Sequence, residues 1–262
     1  MVYPEIDIIG TGNLAHNLAP ALELSGFVIN TIYGRTLKSA KKIADRLYQA
    51  SVTDSLDFSN SKSKVFFLAV TDDAIESVSR ELILPDEAII AHTSGFKSLS
   101  TLGYTASPNI GVFYPLQTFS KLKRVSFTNI PIMIEGDNRL TEKMLYTIAG
   151  KMSDTVQILS SPQRKLVHLA AVFASNFTNA LLMQANELLC SSKLDLQLLA
   201  PLIQETMAKS LSLGPENAQT GPASRGDLEV LDNQMKMLDN YPDIQDTYRL
   251  LTQQILNRSE TD

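Results

Sequence analysis

Runs of apolar residues with the length of β-strands recur along the first part of the chain. They are apolar almost throughout and bounded by polar residues, as is typical of parallel strands buried on both faces of a sheet. Between several of them apolar residues recur every three or four positions, as in 36–48, which predicts helices. This alternation predicts an α/β domain over residues 1–159, with a doubly wound, mostly parallel sheet. The strand-like runs are 6–9, 27–33, 64–70, 88–91, 110–114, 130–134 and 155–159.

The pattern changes at Ser160, and no strand-like run occurs in the remaining residues, 160–262. Pro162 suits the first turn of a helix that follows a serine cap. From Gln163 to Leu189 there is no glycine or proline, so one long helix is predicted. Three further helices are predicted, and Pro201 either starts or kinks the first of them; they are 194–211, 228–238 and 248–256. The second domain is therefore predicted to be all-α.

A glycine turn joins the first predicted strand to the first predicted helix. It has the pattern G-x-G-x-x-A and consists of Gly10, Thr11, Gly12, Asn13, Leu14 and Ala15. Gly10 permits the tight turn, Gly12 lets the backbone approach a phosphate, and Ala15 lets the helix pack closely. The helix N-terminus offers N–H groups and a positive dipole end to an anion. The turn predicts a Rossmann-type dinucleotide site, and the alternative is a strand–helix turn that binds nothing.

The choice of dinucleotide depends on the segment after the second predicted strand, Gly34-Arg35-Thr36-Leu37-Lys38. An NAD site places a carboxylate in this region to bind the ribose 2′-hydroxyl, and none is present. The Arg35 guanidinium, the Thr36 hydroxyl and the Lys38 charge would instead bind the 2′-phosphate of NADP. The alternative is a solvated basic turn in which Thr36 caps the next helix. NADP is therefore the predicted cofactor.

Candidate site residues follow other predicted strands at their carboxyl ends, where open parallel sheets bind ligands. Val70 and Thr71 are expected beside the adenosine and its ribose. His92 is a candidate proton donor near neutral pH, and Ser94 points the same way if the strand continues to it. The alternative for both is a loop that hydrogen-bonds to its own backbone. Gln117 is expected to face the nicotinamide and the substrate.

The predicted helical domain offers three more candidates. His168 and Asn176 are polar residues in a largely apolar helix, and an apolar face demands a partner for each. They lie eight residues apart, about 12 Å along the axis, so they can flank one pocket. His168 is the alternative to His92 as proton donor, and Asn176 is expected to position the substrate together with Ser94 and Arg225. Arg225, in a segment rich in glycine and proline, is a candidate ligand for a substrate carboxylate or a phosphate. The alternatives are backbone partners for His168 and Asn176 and an exposed surface position for Arg225.

Charge and composition narrow the class of protein. The net charge of −5 and the absence of a basic stripe argue against nucleic acid and anionic membranes as partners. Apolar runs such as 65–70 and 169–174 are too short to span a bilayer. The N-terminal residues show no secretion signal. One cysteine and three scattered histidines predict no metal site and fit a reducing cytoplasm.

Several motifs in this order resemble a bacterial family in which a Rossmann-like domain precedes a DUF2520 domain, labelled NADP- or F420-dependent oxidoreductases. The motifs are the glycine turn, Gly34-Arg35-Thr36, His92-Thr93-Ser94-Gly95, 168–176 and Thr220 to Asp227. Wider relatives look like pyrroline-5-carboxylate reductases and β-hydroxyacid dehydrogenases. The resemblance implies a nucleotide domain, a helical domain that forms a homodimer, and a cleft between the domains.

Two departures from the related patterns leave the activity open. The hydroxyacid dehydrogenases use a Lys-x-x-x-Asn pair, but here Val172 precedes Asn176 by four residues. Relatives often carry a histidine soon after the Arg-Gly-Asp segment, where this chain has Asn233 and Gln234. The first hypothesis is an NADP-dependent oxidoreductase acting on a small carbonyl, imine or hydroxyacid-like compound. The alternatives are a non-catalytic NADP-binding sensor or assembly protein and an F420-dependent NADP reductase.

Overall fold

The computed structural model describes residues 4–259 and contains one eight-stranded sheet. The strands are β1 (Glu5–Ile9), β2 (Val28–Tyr33), β3 (Ser51–Thr53), β4 (Val65–Leu68), β5 (Ile89–His92), β6 (Asn109–Pro115), β7 (Ile132–Gly136) and β8 (Val156–Ile158). Their order is β3-β2-β1-β4-β5-β6-β7-β8. All neighbours pair in parallel except β6 and β7, which are antiparallel.

Helices connect the strands and follow the sheet. Those of the first part are α1 (Asn13–Leu24), α2 (Leu37–Ala44), α3 (Ile75–Glu81) and α4 (Arg139–Met152), with short 3₁₀ turns at Asp72–Ala74 and Leu99–Leu102. They are followed by α5 (Ser161–Ala171), a π-helical segment (Val172–Phe177), α6 (Thr178–Ser191), a 3₁₀ turn (Leu196–Leu199), α7 (Ala200–Leu213), α8 (Pro215–Ala218), α9 (Pro222–Arg225), α10 (Leu228–Met237) and α11 (Pro242–Ser259).

The strand order reverses between β1 and β4. The chain first builds outward from β1 through β2 to β3, and then returns to place β4 on the other side of β1. Ligands of doubly wound sheets bind at such a switch point, outside the carboxyl ends of the strands. The glycine turn follows β1 directly, so the fold places it at this point.

Burial on both faces explains the uninterrupted apolar runs. Ile8 of β1 packs into a core with Leu18 of α1, whereas its neighbour Ile9 packs into a second core on the other face with Phe66. Asp7 is the exception in this strand. Its side chain is buried, and the Ser61 hydroxyl donates to one carboxylate oxygen at 2.6 Å. The other oxygen has no hydrogen-bond partner among residues 4–259.

The structure of the first part of the chain differs from the expected one in three respects. Strand β7 is antiparallel to β6, since the chain reverses through the loop 116–131 without a crossover helix. Strand β3 has three residues and is too short to show a pattern in the sequence. The helix expected over 36–48 ends at Ala44, and turns complete that segment.

The chain forms two compact units, which divide between Ser175 and Asn176. The change of pattern at Ser160 therefore marks the beginning of α5, and that helix belongs to the sheet unit. Local signals start it as expected, because Gln163 Oε1 accepts a hydrogen bond from the Ser160 N–H in a capping box. Pro201 likewise starts α7 and does not kink it.

The second unit, described from Asn176 to Ser259, is all-helical. Few of its apolar side chains are buried; among the described residues these are Ala223, Leu231, Leu238 and Ile244. Many large ones are exposed, for example Met183, Leu202 and Leu211. A helical unit with so much exposed apolar surface needs a further surface to cover it.

One helical stretch of the described chain, Ser161–Ser191, is long and apolar enough to cross a membrane, with a mean hydropathy of 1.5 over its most apolar window. The expectation concerned uninterrupted apolar runs such as 65–70 and 169–174, whereas this helix contains the second run and intersperses polar residues among its apolar ones. None of that window is buried. Such a helix is weak support for a membrane span, because a helix that covers another protein surface has the same composition.

Candidate active site

The glycine turn has the shape that a dinucleotide phosphate requires. Gly10 has φ +127°, and a Cβ there would lie 2.2 Å from the carbonyl oxygen of Ala69. Gly12 begins α1 as its N-cap, without a side chain to bond the first-turn N–H groups. A Cβ on Gly12 would meet only Ala69 O, at 3.8 Å, so the protein leaves space in front of this backbone. The turn therefore fits an anion at the helix N-terminus.

A second close approach of backbone occurs at Gly34. A Cβ there would lie 2.8 Å from the Thr11 methyl group and 2.7 Å from the Ser39 hydroxyl. No sequence pattern indicates this role for Gly34. Because Gly34 lies at the end of β2 and packs closely against Thr11 of the glycine turn, the next residue, Arg35, lies immediately beside the predicted dinucleotide site.

In the basic segment after Gly34, one residue has a structural role and two are exposed cations. The Ser39 N–H donates to the Thr36 hydroxyl at 3.3 Å, so Thr36 caps α2 as its alternative interpretation required. Arg35 and Lys38 are exposed, and neither forms an ion pair within residues 4–259. Val70 follows β4 half-buried, and Thr71 is exposed. The two cations remain available to an anionic ligand.

His92 and Ser94 shape the loop after β5. The Ser94 N–H donates to His92 Nδ1 at 3.1 Å, and His92 Nε2 lies 3.3 Å from the Ser98 carbonyl oxygen. The ring is fully buried, and burial, followed by the charge of Arg164, lowers the pKa of His92 to about 3. The neutral ring thus uses both nitrogens inside the protein, which favours the alternative interpretation of His92 as part of the loop.

The Ser94 hydroxyl is engaged in the same loop. It donates to the Asp72 carboxylate at 2.8 Å and accepts from the N–H groups of Phe96 and Lys97 at 3.1 and 2.9 Å. The contact with Asp72 connects the segments that follow β4 and β5, and the other two close the loop after β5. The arrangement again favours a loop that satisfies its own polar groups.

His168 is brought to the sheet by α5 and pairs with a residue at the end of β6. The Tyr114 hydroxyl lies 3.0 Å from His168 Nδ1, and their rings meet edge to face at a centroid distance of 5.8 Å. A Cβ on Gly95 would lie 2.6 Å from both His168 Nδ1 and Tyr114 Cζ. The absent side chain of Gly95 is therefore what lets the two rings meet above the loop after β5.

The Tyr114 hydroxyl keeps its proton in this setting. Burial, with the nearby Asp72 carboxylate, raises the pKa of Tyr114 to about 12, although the Arg164 charge acts in the opposite direction. A phenol that stays protonated can donate to a neutral Nδ1 or accept from a protonated one. Nε2 is then the ring nitrogen of His168 that remains for a reactant.

A buried ion pair holds α5 against the sheet one turn before His168. The Arg164 guanidinium is fully buried, and it donates to the Glu135 carboxylate of β7 and to the Lys97 carbonyl oxygen. Glu135 also accepts from the N–H and hydroxyl of Ser161 at the start of α5. Because Arg164 and His168 are four residues apart, this pair fixes the face of α5 that presents the histidine.

Three predicted residues lie outside this cluster. Asn176 is exposed in the π-helical segment, beyond the end of the sheet unit. Gln117 is exposed, and its side-chain carbonyl accepts from the Thr118 N–H at 2.8 Å. Arg225 forms an exposed ion pair with Asp227 at 2.8 Å. Their expected roles toward substrate stay predictions.

Sequence reasoning missed Tyr114, Gly95, Glu135 and Arg164. The sequence marks Tyr114 only as the last residue of a strand-like run that ends at a candidate site segment, and Gly95 only as part of the motif His92-Thr93-Ser94-Gly95. A weak signal was present, since Arg164 and His168 share one face of an apolar helix. No sequence pattern indicates that Glu135 has a buried partner, because its contact with Arg164 joins β7 to α5.

The chain is similar to known oxidoreductases in sequence and in fold. Residues 5–95 match the family described as NADP oxidoreductase, coenzyme F420-dependent, and residues 130–255 match the domain of unknown function DUF2520. A Bacteroides fragilis protein assigned as an NADP oxidoreductase is 38% identical, covers 97% of this chain and 98% of its own, and superimposes with a TM-score of 0.89. The chain belongs to this family of NADP oxidoreductases.

More distant structures share the fold. A protein from Thermotoga maritima is 23% identical, with a TM-score of 0.73 and 98% of each chain covered. A reductive aminase from Aspergillus terreus, in complex with NADPH and ethyl levulinate, is 15% identical, with a TM-score of 0.75, 98% of this chain and 95% of its own. The comparison with curated proteins gives no match. NADP is the cofactor of the family, and the open glycine turn of this chain fits it.

Proposed function

We propose that this protein is an NADPH-dependent oxidoreductase that transfers hydride to or from a small carbonyl, imine or hydroxyacid-like compound. The observation that carries the proposal is the Tyr114–His168 pair at the end of β6, on the same edge of the sheet as the glycine turn after β1. A bound nicotinamide supplies or accepts the hydride. The residues of the chain bind the cofactor, orient the reactant and move the proton.

NADP is favoured over NAD by Arg35 and Lys38, which are exposed and without a carboxylate partner in the described chain. Replacing Arg35 with Asp should weaken NADPH binding by roughly 10- to 150-fold and leave NADH binding similar or better, because NADH has no 2′-phosphate. Fluorescence titrations with NADPH and with NADH measure the two dissociation constants. Arg139→Asp, at the N-terminus of α4, is the matched control. Unchanged NADPH affinity in R35D would return Arg35 to a surface turn.

His168 is the proposed proton donor. In the protonated ring, Nδ1–H donates to the Tyr114 oxygen and Nε2–H faces the oxygen or nitrogen that becomes basic during reduction. Transfer of the Nε2 proton leaves a neutral ring whose Nδ1–H still donates to Tyr114, so the pair keeps its hydrogen bond through the step. His92 and Ser94 shape the loop beneath the pair, and Asn176, Gln117 and Arg225 are proposed substrate contacts.

A second copy of the chain is the proposed cover for the exposed apolar face of the helical unit. Met183, Leu202 and Leu211 are among its exposed residues, while few apolar side chains of this unit are buried. Homodimers are the commonest way to bury such a surface. Size-exclusion chromatography with light scattering should give twice the chain mass, and Leu202→Glu should shift it toward the monomer. A monomeric wild type would overturn the homodimer. We also propose that the protein is located in the cytoplasm.

The decisive experiment is turnover. Purified protein is incubated with NADPH and a panel of ketones, imines and oxoacids, and cofactor oxidation is followed at 340 nm. We expect oxidation with at least one class, and loss of it in His168→Ala with cofactor affinity retained. Tight NADPH binding without turnover across the panel would favour the sensor hypothesis, and activity that appears only when F420 is supplied would favour the reductase alternative.

A further inference from the structure

The loop between β6 and β7, residues 116–131, lies at the edge of the sheet that carries the glycine turn. Strand β6 runs parallel to β1 through β4 and β5, so its end lies at the same edge as the end of β1. Strand β7 returns antiparallel, with Ile132 opposite Pro115. Both ends of the loop are therefore at the carboxyl edge.

Contacts hold this loop against α1. The Asn17 amide donates to the Ser120 carbonyl oxygen at 3.0 Å and to the Asn13 carbonyl oxygen at 2.9 Å. Phe119 stacks on Phe127 at 5.5 Å, which closes the loop at its base. One side chain of α1 thus joins the loop to Asn13, a residue of the glycine turn.

The tip of the loop is basic, with Lys121, Lys123 and Arg124 all exposed. None of the three forms an ion pair within residues 4–259, although the chain as a whole is acidic. The charge of Lys121 also acts on buried His16, whose Nδ1 lies 3.1 Å from the Gly12 carbonyl oxygen. Burial first, and then Lys121, Arg46 and Lys42, lower the pKa of His16. Lys121 follows Ser120 directly, so the Asn17 contact with Ser120 also brings Lys121 near the glycine turn.

We propose that Lys121, supported by Lys123 and Arg124, binds the diphosphate of the cofactor from the side opposite the α1 N-terminus. The proposal rests on the NADP site of the proposed function. It concerns the diphosphate and not the 2′-phosphate, because β2 and Arg35 lie on one side of β1, whereas β6 and its loop lie on the other. The diphosphate is common to NADPH and NADH, so the basic loop and Arg35 make different predictions.

The test is binding, measured by calorimetry with NADPH and with NADH. Lys121→Glu should weaken both dinucleotides by the same factor, about 3- to 10-fold, and the triple change Lys121→Ala, Lys123→Ala and Arg124→Ala should weaken both further. The triple variant should also show a smaller dependence of affinity on salt concentration. Lys143→Glu on α4, with the same change in net charge, is the control, and a thermal melt reports folding.

Two results would overturn the loop's role. One is an affinity for both dinucleotides in K121E equal to that of K143E. The other is a loss confined to NADPH, which would place Lys121 on the 2′-phosphate. A wild-type protein that binds neither dinucleotide would refute the NADP assignment as well. If K121E weakens both dinucleotides as expected but the wild type shows no turnover, only the proposed reaction is refuted.

Discussion

The Tyr114 hydroxyl lies 3.0 Å from His168 Nδ1, although the two residues are 54 positions apart in the sequence. Tyr114 ends a strand of the sheet, and His168 lies on the helix that leaves the last strand. Gly95 makes the contact possible from a third segment, since its Cβ would occupy the same space. The pair therefore depends on two strand ends, those of β6 and β5, and on one helix, α5.

Removing the tyrosine hydroxyl should damage proton transfer and not cofactor binding. Tyr114→Phe should lower kcat by about 10-fold or more, because Nδ1 of His168 loses the partner that fixes its tautomer. The NADPH dissociation constant should stay unchanged. Tyr104→Phe, on an exposed tyrosine, is the control; equal kcat in the two variants would remove Tyr114 from the site.

A methyl group on Gly95 should separate the same two rings. In Gly95→Ala the new Cβ would lie 2.6 Å from His168 Nδ1, so one ring must move and turnover should fall with a loss of stability of about 1–3 kcal/mol. Gly150→Ala is the matched control, because nothing lies within 4 Å of a Cβ there. It lies within α4, so it should gain about 0.5–1 kcal/mol. Chemical denaturation measures both; a neutral G95A would contradict the packing.

Asp7 should make stability fall as the pH rises. Burial raises the pKa of its carboxyl group, although hydrogen bonds led by that of Ser61 act against the change. The folded state thus holds a proton that the unfolded chain releases. The contribution of Asp7 is fully present below its unfolded pKa, about 3.9, and is lost as the pH rises through the folded pKa.

Asp7→Asn should therefore be more stable than the wild type at neutral pH, and the gain should vanish in acid. Thermal melts between pH 2 and pH 8 measure the difference. Asp57→Asn provides the opposite sign, because hydrogen bonds from Ser59 lower the pKa of Asp57. Its contribution is present above the unfolded pKa and lost as the pH falls through the folded one. An Asp7→Asn gain independent of pH would show that packing, not charge, is responsible.

The Arg164–Glu135 pair should show strong coupling. Removing one partner of a buried pair costs about 3–5 kcal/mol, since the other charge is left buried. Glu135→Met should cost more than Arg164→Met, because Arg164 is fully buried whereas Glu135 is 17% exposed. The double replacement should cost less than the sum of the two. Urea denaturation of all four proteins gives the coupling, and simple additivity would refute it.

Local patterns predicted much of the fold. The apolar runs gave seven of the eight strands, and the capping serine with Pro162 gave the beginning of α5. The direction of β7 could not be predicted, because an apolar run has the same composition in parallel and antiparallel strands. Strand β3 has only three residues, too few to form a recognisable pattern. The end of α2 at Ala44 could not be predicted, because the turns that follow it lack a strong residue signal.

The sequence by itself determined the glycine turn, its place after β1 and the cations after β2. These features depend on neighbouring residues, because a tight turn and a helix N-terminus are local. Only the tertiary structure decided that Tyr114, Gly95 and His168 meet, and that His92 uses both nitrogens inside the protein. Such contacts join segments far apart in the chain, and their positions follow from strand order and packing, which no local pattern encodes.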